Sequence, residues 1–358
     1  MTDLLYSEAE TDLRAAVRSL LTARADPAAL VAGRAESGTP YDTELWKALA
    51  AEVGAAGLLV PEKLGGQGAS HREVAVVLEE LGRSVVPAPF LTSSVIATET
   101  LLALDTETAE VAELLGALAT GRRTAVLAVP LAASSEGPLS WDAERTSGVA
   151  DAVNADVFLV LRPDGLYAVE SSQVTVEPQI ALDLTRPLAA VTAGAGGSRL
   201  ADAATGETAV RRGLLAGAGL LASEQLGVAE WCLEKTVRHT RERHQFNRPI
   251  GSFQALKHRM AQLWLEVVSA RAAARAAADA LATGSAEAAL LVSVAQAYCS
   301  RVAVHAAEEC VQLHAGIGMT WEHPAHLYLK RAKSAEIALG TPGRHKETLA
   351  ELVGLQAP

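Results

Sequence analysis

The sequence is short of three things that would each point to a class of function. Its three cysteines, Cys232, Cys299 and Cys310, are odd in number and lack a CxxC or similar spacing. They read as reduced core thiols of a cytosolic chain, not as metal ligands or a disulfide framework. Positive charge is also scarce, since 31 Lys+Arg against 42 Asp+Glu leave a formal charge of −11. That balance speaks against broad binding to nucleic acid or to an anionic membrane, although a local anion site needs only a few placed groups. Long apolar runs are missing too. The most apolar one, 288–300, is interrupted by Gln296 and closed by Arg301, which makes it too short and too polar to span a bilayer. The opening MTDLLYSEAETDLR is acidic and amphipathic, unlike a secretory signal. These features predict a cytoplasmic protein.

Common catalytic signatures are absent or out of context. No GxSxG elbow occurs. GAGLLA at 217–222 fits GxGxxA but sits inside a helical pattern with no strand before it, and GAGG at 194–197 opens no phosphate loop. Helix packing and turns explain both. His323 and His326 in EHPAH flank a proline and lack a third ligand, so they read as a loop and no metal is expected.

What is present is a chain of 358 residues, 49% hydrophobic and 20% charged, long enough for two or three packed units. Leu13, Val17, Leu20 and Leu21 recur at helical spacing, and Leu45, Leu49 and Val53 mark a second helix ending near Gly54. Ser70 with Glu73 forms a capping box for a third, which Gly82, Pro87 and Pro89 are expected to stop. Short apolar or alternating runs such as DVFLVLRP, LYAVES and QVTVEP then punctuate 121–200, the spacing of a small β-domain. From about 206 the pattern is helical again. Faces such as Met260, Leu263, Trp264, Val267 and Val268 suggest an antiparallel four-helix bundle. The reading is an α+β chain with a helical domain at 1–120, a β-domain at 121–205 and a helical bundle at 206–358.

Two segments of the bundle carry complementary chemistry. RERHQFNRPIGSFQ, 241–254, supplies Arg243 and Gln254 as donors and Phe246 as a flat apolar face. In VQLHAGIGMTWEHPAHLYLKRAKSAEIALGTPG, 311–343, Gln312 is followed by Ala315, Gly316 and Gly318, which let backbone amides approach a ligand. Guanidinium and exposed N–H groups suit a pyrophosphate, and a phenylalanine suits a heteroaromatic ring. Taken singly, the same residues also suit a helix C-cap and a turn.

Taken together they resemble the acyl-coenzyme A dehydrogenase family, flavoenzymes that desaturate the acyl group of a coenzyme A thioester. ALAAEVGAAGLLVPEKLGGQGAS (48–70) and EELGRSVVPAPF (79–90) look like that family's N-terminal domain, and the α–β–α order is its domain order. The resemblance implies FAD at a subunit interface. Its ADP half would touch Arg243, Phe246, Phe253 and Gln254, together with Gln312, Leu313, His314, Ala315 and Gly316. Thr341 is carried over as a further cofactor contact. Asn247 replaces the family's usual glycine after the phenylalanine.

The flavin side departs from the family. LAVPLAASSEGPLSW, 127–141, stands where a threonine–glutamate–proline–glycine segment is usual, and SGVADAVNADVFLV, 147–160, lacks the second flavin-contacting pattern. The β-domain looks shortened. The family's base is a glutamate before Gly-Thr, where this chain has Leu339. In some relatives it lies on the helix leading into the arginine motif, where counting back gives Gly217. Neither residue can accept a proton. Glu336 and Glu224 are the nearest substitutes, and both are ordinary as packing or surface residues.

The resemblance includes a precedent for such a pattern. Some actinobacterial family members that degrade sterol or bile-acid side chains are α2β2 heterotetramers in which only one of two homologous chains carries the base. The expectation is therefore a base-lacking subunit with no catalytic residue of its own. It would supply the ADP half of the FAD site to a homologous catalytic partner, with acyl-CoA mainly in the partner's pocket. The alternatives are a self-sufficient homotetramer with an unusual base, a flavin-free scaffold or regulatory subunit, and a flavin monooxygenase on the same fold.

Overall fold

The computed structural model describes residues 4–26, 29, 41–139 and 145–355. The first three residues and the 140–141 end of the 127–141 segment lie outside the described residues.

The N-terminal helices begin where side chains cap them. Helix α1 (Glu8–Arg24) has a capping box between Ser7 and Glu10 and buries Val17 and Leu21. Helix α2 (Thr43–Lys47) starts at Asp42, whose carboxylate accepts from the N–H groups of Glu44 and Leu45. A π-helical turn, Ala48–Glu52, continues it, and Gly54 at φ 73° turns the chain away. The expected box at Ser70 and Glu73 opens α3 (His71–Ser84), with the Ser70 N–H donating to Glu73 Oε2 at 2.9 Å.

One expected stop is not a stop. Helix α3 runs through Gly82 to a cap at Val85, which adopts φ 41°. Gly82 is glycine because α3 crosses the first bundle helix there. A Cβ on it would stand 2.1 Å from the Glu224 carbonyl oxygen, and one on Gly227 would stand 2.0 Å from that of Glu79. A π-helical segment, Phe90–Ala97, follows and runs into α4 (Thr98–Leu102), then α5 (Ala109–Ala119).

The β-region has seven strands in two sheets. They are β1 (Ala125–Leu127), β2 (Thr146–Ala150), β3 (Val157–Arg162), β4 (Gly165–Glu170), β5 (Val174–Gln179), β6 (Leu188–Ala193) and β7 (Ser198–Asp202). One sheet has the order β1-β3-β4-β7, parallel only between β1 and β3; the other is β2-β6-β5 and antiparallel. Phe158, Val169, Val149 and Val191 close a small core of their own. The GAGG stretch aims carbonyls, not N–H groups, at its neighbour. Arg162 donates to the carbonyls of Gly194, Ala195 and Gly196, so no phosphate cradle forms.

The C-terminal half consists of α6 (Ala203–Glu242), α7 (Gln254–Ala282), α8 (Ala288–His314), α9 (Ala325–Ile337) and α10 (Pro342–Leu352). The expected four-helix bundle thus has three long helices, and the short α9 and α10 both pack on α8. Ala288–Met319 is long and apolar enough by length and composition to cross a membrane, which corrects the sequence expectation that this run is too short. Half of its most apolar window is buried inside the fold, and a core helix has the same composition. All three cysteines are buried and unpaired.

Candidate functional site

Arg243 is the C-cap of α6, and its N–H donates to the His239 carbonyl at 2.9 Å. The chain then reverses in a two-residue hairpin between β8 (His244–Gln245) and β9 (Arg248–Pro249). Both turn residues have positive φ, Phe246 at 53° and Asn247 at 62°. That is the demand of a type I′ turn, which asparagine tolerates and which explains a glycine substitute at 247. The turn leaves Phe246 86% exposed, edge-on to Phe253 with centroids 6.0 Å apart. The guanidinium of Arg248 covers Phe253 at 3.9 Å. Among the described residues the Arg243 side chain makes no hydrogen bond or ion pair and is exposed. Gln254, the first residue of α7, lies in the open with its Nε2 3.0 Å from His258 Nε2.

The second segment sits at the end of α8. Gln312, Ala315 and Gly316 are exposed, and a Cβ on Gly316 would meet nothing within 4 Å. Leu313 and His314 are buried, so they can offer a ligand only their backbone. Gly318 serves packing, because a Cβ there would stand 2.6 Å from the Val311 carbonyl oxygen. The two segments meet. His239, one turn before Arg243, stacks on His314 with ring centroids 4.2 Å apart. Arg243, Phe246 and Gly316 are each open to solvent, on two segments that the His239–His314 stack joins. This donor set fits a diphosphate carrying an aromatic base.

Thr341 is elsewhere. It caps α10, its Oγ1 accepting from the Arg344 N–H at 3.2 Å. It lines a groove of about 710 Å³ with Val129, Pro130, Ser134, Arg145 and Arg344. The neighbouring Leu339 touches α6 at Gly217, since its Cδ1 is 3.2 Å from where a Cβ on that glycine would stand. From Gly217 to Glu242 the helix climbs 25 residues, about 38 Å at 1.5 Å per residue. The groove and the guanidinium are thus too far apart for one dinucleotide to bridge.

The acyl-CoA dehydrogenase N-terminal domain matches residues 7–122, and the acyl-CoA dehydrogenase C-terminal domain matches residues 204–354. The chain belongs to the acyl-CoA dehydrogenase family. It is 38% identical over 337 residues to the acyl-CoA dehydrogenase IpdE2 of Mycolicibacterium smegmatis, covering 94% of this chain and 96% of that one. IpdE2 of Mycobacterium tuberculosis is 38% identical over 336 residues, 92% of each chain. Among solved structures, the steroid ACAD Tcur3481–Tcur3483 superposes with a TM-score of 0.84 at 26% identity, over 97% of this chain and 98% of that one. The ChsE4–ChsE5 complex of Mycobacterium tuberculosis shares the fold, with a TM-score of 0.85 at 24% identity over the whole of both chains. Acyl-CoA dehydrogenases are FAD-binding flavoproteins and act as oxidoreductases on CH–CH bonds.

Leu339 and Gly217 are the two positions at which the resemblance expects a base. Leu339 and Gly217 face the same point from two different segments. Leu339 is buried at φ 56°, held by its N–H donating to the Leu131 carbonyl at 2.7 Å, while His345 Nε2 lies 3.1 Å from its own carbonyl oxygen. A Cβ on Gly217 would stand 2.6 Å from Ile96 Cγ1, so glycine is what lets the π-helical segment lie against α6. Leu339 also lines a space of about 20 Å³, together with Thr92, Ile96, Val129, Leu131 and Leu214. Among the described residues no carboxylate lines it. Ile96 and Leu131 carry no local sequence signal for this role, because only the fold brings them here.

The substitute carboxylates do not reach this point. Glu224 is 2% exposed and lies between two guanidiniums, 2.6 Å from Arg186 and 2.9 Å from Arg331, the latter also 2.6 Å from Asp183. Burial pushes the Glu224 carboxyl up, but the two arginines outweigh it and hold it below its ordinary value. Such a group is a poor proton acceptor. Glu336 is partly exposed near Lys333, at 4.0 Å, and does not line the small cavity.

Proposed function

We propose that this chain is the base-lacking subunit of a heteromeric FAD-dependent acyl-CoA dehydrogenase. It holds the ADP half of FAD through Arg243, Phe246, Phe253, Gln254, Gln312 and the backbone of Leu313–Gly316. The reacting ring and the acyl thioester occupy the pocket of a homologous partner. The observation that carries this reading is the contact of Leu339 with Gly217, beside a space of about 20 Å³ that Leu339 lines and no carboxylate among the described residues enters. A chain with no proton acceptor and no room for an acyl group at that point cannot remove an α-proton there.

When bound, FAD supplies the hydride acceptor for desaturation. This chain's residues have a narrower task, to neutralise the diphosphate with Arg243, stack an adenine against the hairpin aromatics and present backbone N–H groups at Gly316. The steroid assignment of one structural relative favours a sterol or bile-acid side chain as the acyl group. Thr341, in the groove, belongs to a separate environment from this grip.

The test is expression with and without a base-bearing homologous subunit. The complex is expected to be yellow and to dehydrogenate an acyl-CoA with an artificial electron acceptor, and Arg243→Ala with Gln312→Ala is expected to strip its flavin. A lone chain that is yellow and active overturns the proposal. A complex that never carries flavin points to a scaffold instead.

A further inference from the structure

Three imidazole rings lie in a row where the two gripping segments meet. His239 belongs to the last turn of α6, His314 closes α8, and His323 precedes α9. Centroids of His239 and His314 are 4.2 Å apart with planes 29° off parallel, and those of His314 and His323 are 4.3 Å apart at 37°. The middle ring is 5% exposed, while the outer two are half-buried. His314 Nδ1 lies 2.7 Å from the Cys310 carbonyl oxygen. A carbonyl can only accept, so this nitrogen carries hydrogen and donates. The Cys310 thiol is 3.6 Å from the same nitrogen.

The stack spans both halves of the grip. His239 is four residues before Arg243, and His314 is two after Gln312. Rings at this separation stack well when at most one is charged, and two imidazolium rings there repel in a medium poorer than water in screening. Neighbouring groups reinforce that limit. From α6, Lys235 and Arg243 add positive charge and Glu242 opposes it. From α9, His326 faces His323. From α8, Cys310 backs His314, with Cys232 and Thr236 of α6 behind the thiol. Burial and then the other rings push His323 down to about 4, and burial, His314 and Arg243 lower His239. His314 goes the other way, because the bonds to Cys310 outweigh its burial.

We propose that the His239–His314–His323 stack is a proton-sensitive clamp that sets the spacing of the ADP grip, with His314 as its positioning residue. The inference rests on the reading that Arg243 and Gln312 hold the ADP half of FAD. With one proton or none, the rings keep the ends of α6 and α8 together. A second proton drives the rings apart and loosens Gln312–Gly316. The grip then weakens in acid.

The test is the dissociation constant of FAD for the complex containing this chain, followed by fluorescence from about pH 8 to about pH 5. The diphosphate of FAD does not titrate in that range, so a slope belongs to the protein. Wild type is expected to lose about tenfold in affinity, because one proton is taken up as the rings part. His239→Phe keeps a stacked ring without a proton site, and is expected to match wild type near pH 8 and to lose most of the slope. A flat wild-type profile, or an unchanged slope in His239→Phe, overturns the clamp. If that variant does not fold, amide exchange of 312–316 in wild type decides the matter, and equal protection at both pH values overturns it. Arg243→Ala near pH 8 separates the two readings. Unaltered FAD affinity there sinks the ADP grip itself, while lost affinity with a flat wild-type profile sinks the clamp alone.

Discussion

Leu339 Cδ1 lies 3.2 Å from the position a Cβ would take on Gly217, which brings together the two residues proposed to stand where relatives carry a base. Restoring a carboxylate does not restore chemistry under this geometry. Leu339→Glu puts an unpaired charge among Ile96, Leu131 and Leu214, and is expected to cost about 3–5 kcal/mol of stability. Thermal melts should fall sharply, and anaerobic mixing of the lone chain with acyl-CoA should bleach no flavin. Turnover by the lone variant would contradict the closed-pocket reading.

Glu224 is a structural anion. Replacing it in Glu224→Gln leaves Arg186 and Arg331 facing a neutral amide, with Asp183 as the remaining carboxylate on Arg331 beside its bonds to Thr185. Breaking a buried pair of this kind costs about 3–5 kcal/mol. The expected result is a lower denaturation midpoint with acyl-CoA turnover per folded complex unchanged. The reverse pattern, intact stability with lost turnover, would make Glu224 the base after all.

Ala315 stands in the grip loop at φ 54° and ψ −134°, a region that glycine enters easily and alanine does not. Ala315→Gly is expected to stabilise the chain by about 1 kcal/mol, the strain relieved exceeding the added chain entropy. Urea titration reads this directly, and a drop in midpoint would show that the strain is not there.

Asp151 links the β-region to the N-terminal helices, its carboxylate accepting from Thr92 Oγ1 at 2.8 Å. Burial raises its pKa to about 6, with Arg186 and Thr92 opposing. A carboxyl whose folded pKa is raised binds its proton more tightly in the folded state. Its contribution is therefore present below about 4 and lost as pH rises through about 6, on the order of 3 kcal/mol. Asp151→Asn keeps the left-handed backbone conformation, φ 56°, and removes the charge. Melting at pH 8 should rise relative to wild type, with little difference near pH 4. Equal curves at both pH values would remove Asp151 from the pH dependence.

Much of the fold is legible in the amino-acid order because its signals are local. The capping box at Ser70, the apolar runs of β3 and β4, the alternation at the start of β5 and the apolar faces of α7 and α8 all act within a few residues of themselves. Gly82 misleads for the opposite reason, since its requirement comes from the Glu224 carbonyl on another helix.

The site divides along the same line. The amino-acid order alone determined that Arg243, Phe246 and Gln312 are present and that Leu339 and Gly217 bear no carboxylate. Only the tertiary structure decided that those last two positions touch, that Ile96 packs against Gly217 beside them, and that Glu224 is locked between two arginines. It also decided that Arg243 stands about 38 Å along α6 from Gly217, while the rings of His239, His314 and His323 stack where α6, α8 and α9 meet. Helix and hairpin formation follow from hydrogen bonds between near neighbours, whereas these juxtapositions come from packing segments far apart in the chain, and a linear order carries no distance of that kind.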